Sequence, residues 1–130
     1  MARCGYLLPP VKGYHFLDAP YVEYSGDVPA DKRPGLVEQL QGEFAKIAEE
    51  DIATTIESWP RARAEAELNK VQQNFDFNVF KDPEIRIVGV ANYLCPCGGT
   101  HVRSTRDVKD WTVTGLKCKK GVVRVKYGKR

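Results

Sequence analysis

The sequence predicts an α+β domain: an antiparallel-leaning sheet with one long helix, about residues 34–49, packed on it, and a short second helix. Three observations carry that prediction. Leu36, Leu40, Phe44 and Ile47 recur at spacings of four, four and three, which lays apolar side chains along one helical stripe. Glu84-Ile-Arg-Ile-Val-Gly-Val90 alternates as a buried strand does. Lys119-Lys120-Gly121 supplies the turn that joins two further strands, about 110–118 and 122–128, into a hairpin.

Taken in order, residues 11–28 carry strand character. Tyr14 and Phe16 alternate, the run breaks at Asp18-Ala19-Pro20, and Tyr21/Glu23 and Val22/Tyr24 resume it before the Ser25-Gly26-Asp27 turn. Pro34 suits the first turn of the long helix, with Asp31 or its neighbours available as caps. Glu49-Glu50-Asp51 ends the stripe. Ile52-Ala-Thr-Thr-Ile56 is β-branched and short, so a strand is expected there. Arg61–Asn69 is rich in helix formers and follows Pro60, which fits the start of the second helix. Residues 71–84 fit either a packed loop or a short helix, with Phe75, Phe77 and Phe80 set among Asn, Gln and Asp. On the last strand Val123, Val125 and Tyr127 point one way, and Arg124 and Lys126 the other.

One domain, residues 1–130, is the organisation expected for 130 residues that are 42% hydrophobic and 28% charged. No apolar run approaches the roughly 20 residues that span a bilayer, and the start lacks the apolar core of a signal peptide. No membrane partner and a cytoplasmic location follow. Four cysteines, Cys4, Cys95, Cys97 and Cys118, do not make a secreted disulfide scaffold in a chain of this size. GxGxxG, GxxxxGK[ST] and GxSxG are absent, so nucleotide-binding and serine-hydrolase readings have no motif behind them.

The net charge of +3 is unevenly spread. Residues 35–84 carry five basic against eleven acidic groups, and residues 85–130 carry eleven basic against two acidic. Such a basic end attracts phosphates, although Lys and Arg also serve to keep a β-edge soluble.

Cys97 and His101 are the sharpest chemical feature. A thiolate and an imidazole are good zinc ligands, and Gly98-Gly99 between them lets the backbone fold tightly enough for both to reach one ion. Zinc takes four ligands when structural, or three and water when catalytic, so two are half a site. A glycine-rich connecting loop with an incidental cysteine and a surface histidine is the plainer reading. His15, the other histidine, reads as a strand residue, and Cys95 as an alternate ligand, a redox partner or a small buried side chain.

Two segments together resemble the alanyl-tRNA editing proteins, the AlaX family, whose fold is also the second additional domain of alanyl- and threonyl-tRNA synthetases. Gly13-Tyr-His-Phe-Leu-Asp-Ala-Pro-Tyr-Val-Glu-Tyr-Ser-Gly-Asp-Val-Pro29 is similar to the family's GYHFxDGPYVEYxGxVP stretch. Ile85-Arg-Ile-Val88 followed by Cys95-Pro-Cys-Gly-Gly-Thr-His-Val102 is similar to its CPCGGTHV block. The resemblance implies zinc-dependent hydrolysis of mischarged seryl- or glycyl-tRNA for alanine, with Cys97 and His101 as two metal ligands. It also implies a pocket at Gly98, Gly99 and Thr100, and tRNA contact through Lys117, Lys119, Lys120, Arg124 and Lys126 on the terminal hairpin. Family members carry an HxxxH pair upstream of the GYHF-like segment that completes the zinc site; this sequence does not contain it. The expectation is therefore a site incomplete in this chain, completed by a second polypeptide or by unexpected ligands such as Cys95 or His15, or else an inert tRNA-binding or partner-binding module. The family's glycine is Ala19 here, and Arg106 and Lys109 stand where the family has an acidic and a small residue.

Overall fold

A computed structural model describes residues 1–70 and 77–130, so Phe75 and the first part of the ambiguous 71–84 stretch lie outside the described residues. The elements are β1 (Pro10–Tyr14), β2 (Tyr21–Ser25), α1 (Arg33–Glu49), β3 (Thr55–Pro60), α2 (Arg61–Lys70), β4 (Glu84–Val90), β5 (Tyr93–Pro96), β6 (Trp111–Lys119) and β7 (Val122–Lys129). Short 3-10 turns at Ala2–Cys4, Ala30–Lys32, Phe77–Val79 and Thr105–Val108 punctuate them. The architecture is α+β with antiparallel pairing throughout, and the expected sheet is divided into two: a four-stranded sheet in the order β1-β2-β7-β6 and a three-stranded sheet in the order β3-β4-β5.

The four-stranded sheet carries α1 on one face. The stripe read from the sequence is buried at its first two positions, where Leu36 and Leu40 pack with Val28, Val113, Val123 and Val125; Phe44 and Ile47 are only half-buried, and Ala48 is the buried residue of the last turn. Each buried leucine or valine contributes about 1.5–3 kcal/mol relative to leaving it in water. Pro34 sits in the first turn as expected, but no side chain caps this end; the Ala30–Lys32 turn leads directly into the helix, and Asp31 belongs to that turn. The β6–β7 hairpin turns at Lys120 (φ 51°) and Gly121 (φ 75°), both left-handed as the twist of a two-residue hairpin demands.

The three-stranded sheet has a core of its own. Trp59, Ala64, Leu68, Phe77, Ile85 and Ile87 bury one another between α2 and β3-β4. The strand expected at Ile52–Ile56 is displaced: β3 starts at Thr55 and runs to Pro60. The register explains why. Thr55 pairs with Gly89, so Ala53 would fall opposite Ala91, where β4 has already turned through left-handed Ala91 and Asn92 (φ 49° and 67°). No strand backbone remains there to pair with. Ile52 and Ala53 instead meet the chain after His101: Thr105 donates its N–H to Ile52 O (2.9 Å), and Ala53 forms a single bridge with Ser104.

Candidate functional site

The Cys95–His101 segment leaves the three-stranded sheet. Cys95 and Pro96 are the end of β5, paired with Val88 and Ile87 of β4, and Cys97 N–H still donates to Arg86 O (3.2 Å). The chain then peels away at Gly98. Alternation along β4 buries Ile85 and Ile87 on the core side and leaves Arg86 half-buried on the other. From that position the Arg86 guanidinium donates to the carbonyls of Cys97 and Gly99, the latter at 2.9 Å. One rigid strand residue thus fixes two carbonyls of a glycine turn that would otherwise carry high backbone entropy.

His101 is exposed, and its Nδ1 donates to Gly99 O at 3.2 Å. A carbonyl only accepts, so Nδ1 carries the proton of the neutral ring and Nε2 keeps its lone pair. That is the tautomer in which a histidine ligates through Nε2 with its other nitrogen held.

The far end of the segment is anchored to α1. Thr105, 2% exposed, donates Oγ1–H to Ile47 O (2.6 Å) and accepts Ile52 N–H (2.8 Å). Ser104 opens a capping box with Asp107 and donates to Asp51. Arg106 pairs with Asp51 at 3.4 Å on the surface. The candidate turn is therefore held by Arg86 at one end and by Thr105 at the other.

Burial pushes the Cys95 thiol above its ordinary pKa, and the neighbouring Cys97 adds to that rise. Cys95 donates to its own neighbour's carbonyl, Pro96 O, at 3.4 Å. Tyr93, also on β5, is pushed up to about 12, chiefly by burial.

Gly98, Gly99 and Thr100 are exposed on the turn. A cavity of about 770 Å³ lies elsewhere, lined by Met1, Tyr6, Leu8, Tyr24, Tyr93 and Leu94 among others. His15, read from the sequence as a strand residue, lies just past the end of β1 and is exposed. Its Nδ1 lies 2.5 Å from the Tyr127 hydroxyl, and Gly13 leaves the room in which the ring folds back: a Cβ there would fall 2.5 Å from His15 Nε2.

The hairpin cations are not equivalent. Lys117, Lys119 and Lys120 are exposed, and Lys126 is half-buried. Arg124 is already engaged: it donates to Glu23 Oε1 through Nε (2.9 Å) and Nη2 (2.6 Å), and its Cζ stands 4.1 Å from the centre of the Tyr21 ring.

Arg86 and Thr105 escaped the sequence reading. A signal for the first existed, an arginine inside an otherwise apolar strand; a lone threonine in a polar loop offered none. Zinc fits these residues in part. Cys97 and His101 are the right donor types, but among the described residues no three His, Cys, Asp or Glu side chains are grouped to hold an ion. Two donors do not make a cage. No helix among the described residues is long and apolar enough to cross a membrane.

Residues 85–126 match the family model described as the threonyl and alanyl tRNA synthetase second additional domain. Over 95 residues the chain is 37% identical to alanyl-tRNA editing protein AlaX-L of Pyrococcus horikoshii, an alignment covering 72% of this chain and 21% of that protein. The chain spans about a fifth of the length of the curated relative it matches.

Proposed function

From these likenesses we propose that the chain is a member of the family of alanyl-tRNA editing proteins and second additional domains, and that it supplies one half of an editing centre for mischarged tRNA for alanine. Seryl- or glycyl-tRNA is the substrate of the complete centre. Cys97 and His101 contribute two zinc ligands, and an HxxxH helix outside these 130 residues contributes the others. The observation that carries this reading is the held turn: Arg86 fixes its carbonyls, and Gly99 O holds the proton side of His101 so that Nε2 is left open.

Two ligands hold an ion weakly and orient it poorly. The isolated chain therefore binds tRNA without deacylating it, which is the behaviour of an inert binding module until the remaining donors arrive. Lys117, Lys119, Lys120 and Lys126 meet the tRNA backbone, and Arg124 contributes less because Glu23 already neutralises it.

Binding of tRNA for alanine across a salt series tests the reading. Affinity is expected to fall linearly on a log–log plot, and Lys117→Gln, Lys119→Gln and Lys120→Gln together are expected to lower the slope by roughly 2–3. Arg124→Gln should lower it by less than one of these. Salt-insensitive binding, or none, contradicts the proposal.

A further inference from the structure

We infer that the face of the four-stranded sheet turned away from α1 is a platform for unpaired nucleotides, on which a base stacks at Phe16 and Tyr14 while phosphates lie along Lys12, Lys126 and Lys117. The inference rests on the tRNA reading above and adds which part of the nucleic acid meets this face, and how.

Register settles the composition of the face. Val123 and Val125 are buried against α1, and they pair with Tyr24 and Val22 of β2. Alternation then turns Tyr21, Glu23, Arg124 and Lys126 to the opposite side. Tyr14 pairs with Tyr21, Lys12 with Glu23 and Lys117 with Arg124, which extends that side across all four strands. In the described structure no element packs over it.

The face combines rings with uncompensated charge. Tyr14 and Tyr21 are stacked, 5.5 Å between centroids and 15° between planes. Phe16 leans on Tyr14 at 5.1 Å and is 70% exposed, so its ring face is open to a ligand. Arg124 lies over Tyr21, and Lys12 Nζ is 5.9 Å from the same ring. The Tyr14 hydroxyl donates to the Asp18 carboxylate (3.1 Å), which fixes the ring in place before any ligand arrives. Glu23 is neutralised by Arg124 at 2.6 Å. Among the described residues no carboxylate pairs with Lys12, Lys117, Lys119 or Lys126.

Charge alone would serve a duplex as well as a single strand. The exposed rings decide between them, because a duplex hides its base faces whereas an unpaired base offers one to any aromatic side chain. An antiparallel sheet with rings at one end and lysines across it gives a single strand both things at once.

The test uses the full chain and three probes: a ten-nucleotide single-stranded RNA, a hairpin RNA duplex with the same number of phosphates, and the single strand carrying 2-aminopurine, whose fluorescence falls on stacking. Wild type is expected to bind the strand more tightly than the duplex and to quench 2-aminopurine. Phe16→Ala removes an exposed ring and is expected to leave the thermal unfolding midpoint in place. It should weaken the strand roughly ten-fold or more, abolish the quench and leave duplex affinity within about two-fold. Lys12→Gln should lower the salt slope by about one and keep the quench. Equal affinity for strand and duplex with no effect of Phe16→Ala overturns the platform, and so does inorganic polyphosphate that competes as well as the strand at equal charge. Both results leave the hairpin reading standing. Failure of wild type to bind tRNA and duplex at low salt overturns the hairpin reading itself.

Discussion

The four-stranded sheet carries its functional candidates on strands, and the three-stranded sheet carries its own on a turn. In the first, the positions of Arg124, Lys126 and Lys117 follow from register, and α1 makes that register rigid through Leu36 and Leu40. In the second, Cys97 and His101 lie beyond the last pair of β5, and their placement depends on a few polar contacts: Arg86 upstream, Gly99 O beneath the imidazole, Thr105 downstream. Charged contact with a polyanion tolerates loose positioning because it acts over several ångströms. Ligation does not. The comparison teaches where precision is concentrated in this molecule, and it identifies Thr105 as the residue through which the two halves share stability, since it ties Ile47 at the end of α1 and Ile52 before β3 to the segment that follows His101.

The sharpest way to break that comparison is to unfold the halves separately. Trp59 is buried in the three-stranded core and Trp111 opens β6, so Trp111→Phe and Trp59→Phe each leave one fluorescent reporter per region. Ile87→Ala, at a side chain 1% exposed, is expected to cost about 2–5 kcal/mol in urea unfolding. Both reporters should move together if the halves are one cooperative unit. Two separate transitions would mean that Thr105 does not couple them.

A smaller effect is expected at the joint itself. Thr105→Val keeps the shape but strands the partly buried Ile52 N–H and Ile47 C=O, at about 1–3 kcal/mol. Thermal unfolding measures the loss, and a change within error would show that water replaces the hydroxyl there. Arg86→Met should cost less, about 1 kcal/mol, yet it should act locally. Amide exchange at Gly98 and Gly99 is expected to accelerate while exchange in β6 and β7 stays unchanged. Uniform acceleration would make Arg86 a general stability residue and not a holder of the turn.

The smallest predicted effect depends on pH. Tyr93 ionises near 10 in the unfolded chain and at about 12 when folded, so the unfolded state loses its proton first as pH rises. The stability it contributes is complete below pH 10 and declines between pH 10 and 12. Tyr93→Phe should flatten that part of the profile in urea midpoints measured from pH 9 to 11.5. An unchanged slope would assign the decline to Tyr24 or Tyr127, whose phenols burial also raises.

Much of the four-stranded half was legible because its signals are local. The stripe at Leu36–Ile47, the alternation through Val123 and Val125, and the Lys120-Gly121 turn each follow from one element's own period. The other half was less so. Tyr93-Leu-Cys-Pro96 has neither alternation nor β-branched residues, and the hairpin before it turns on Ala91-Asn92 in place of the usual glycine pair, so β5 had no local signature. The start of β3 was misplaced because Ile52–Ile56 has strand propensity throughout and only the length of β4 decides which residues find a partner. In the candidate site, Cys97 and His101 were visible as residue types, whereas the contacts that hold them span 53 and 58 positions at Thr105, a separation no motif encodes.

Deacylation of seryl-tRNA for alanine by the isolated chain, with zinc added, measured beside His101→Ala, bears most directly on the account. With half a ligand set, wild type and His101→Ala are both expected to leave the spontaneous rate of ester loss unchanged while still binding the tRNA. Zinc-dependent turnover by wild type that disappears in His101→Ala would contradict it, and would mean that this chain alone carries a complete site.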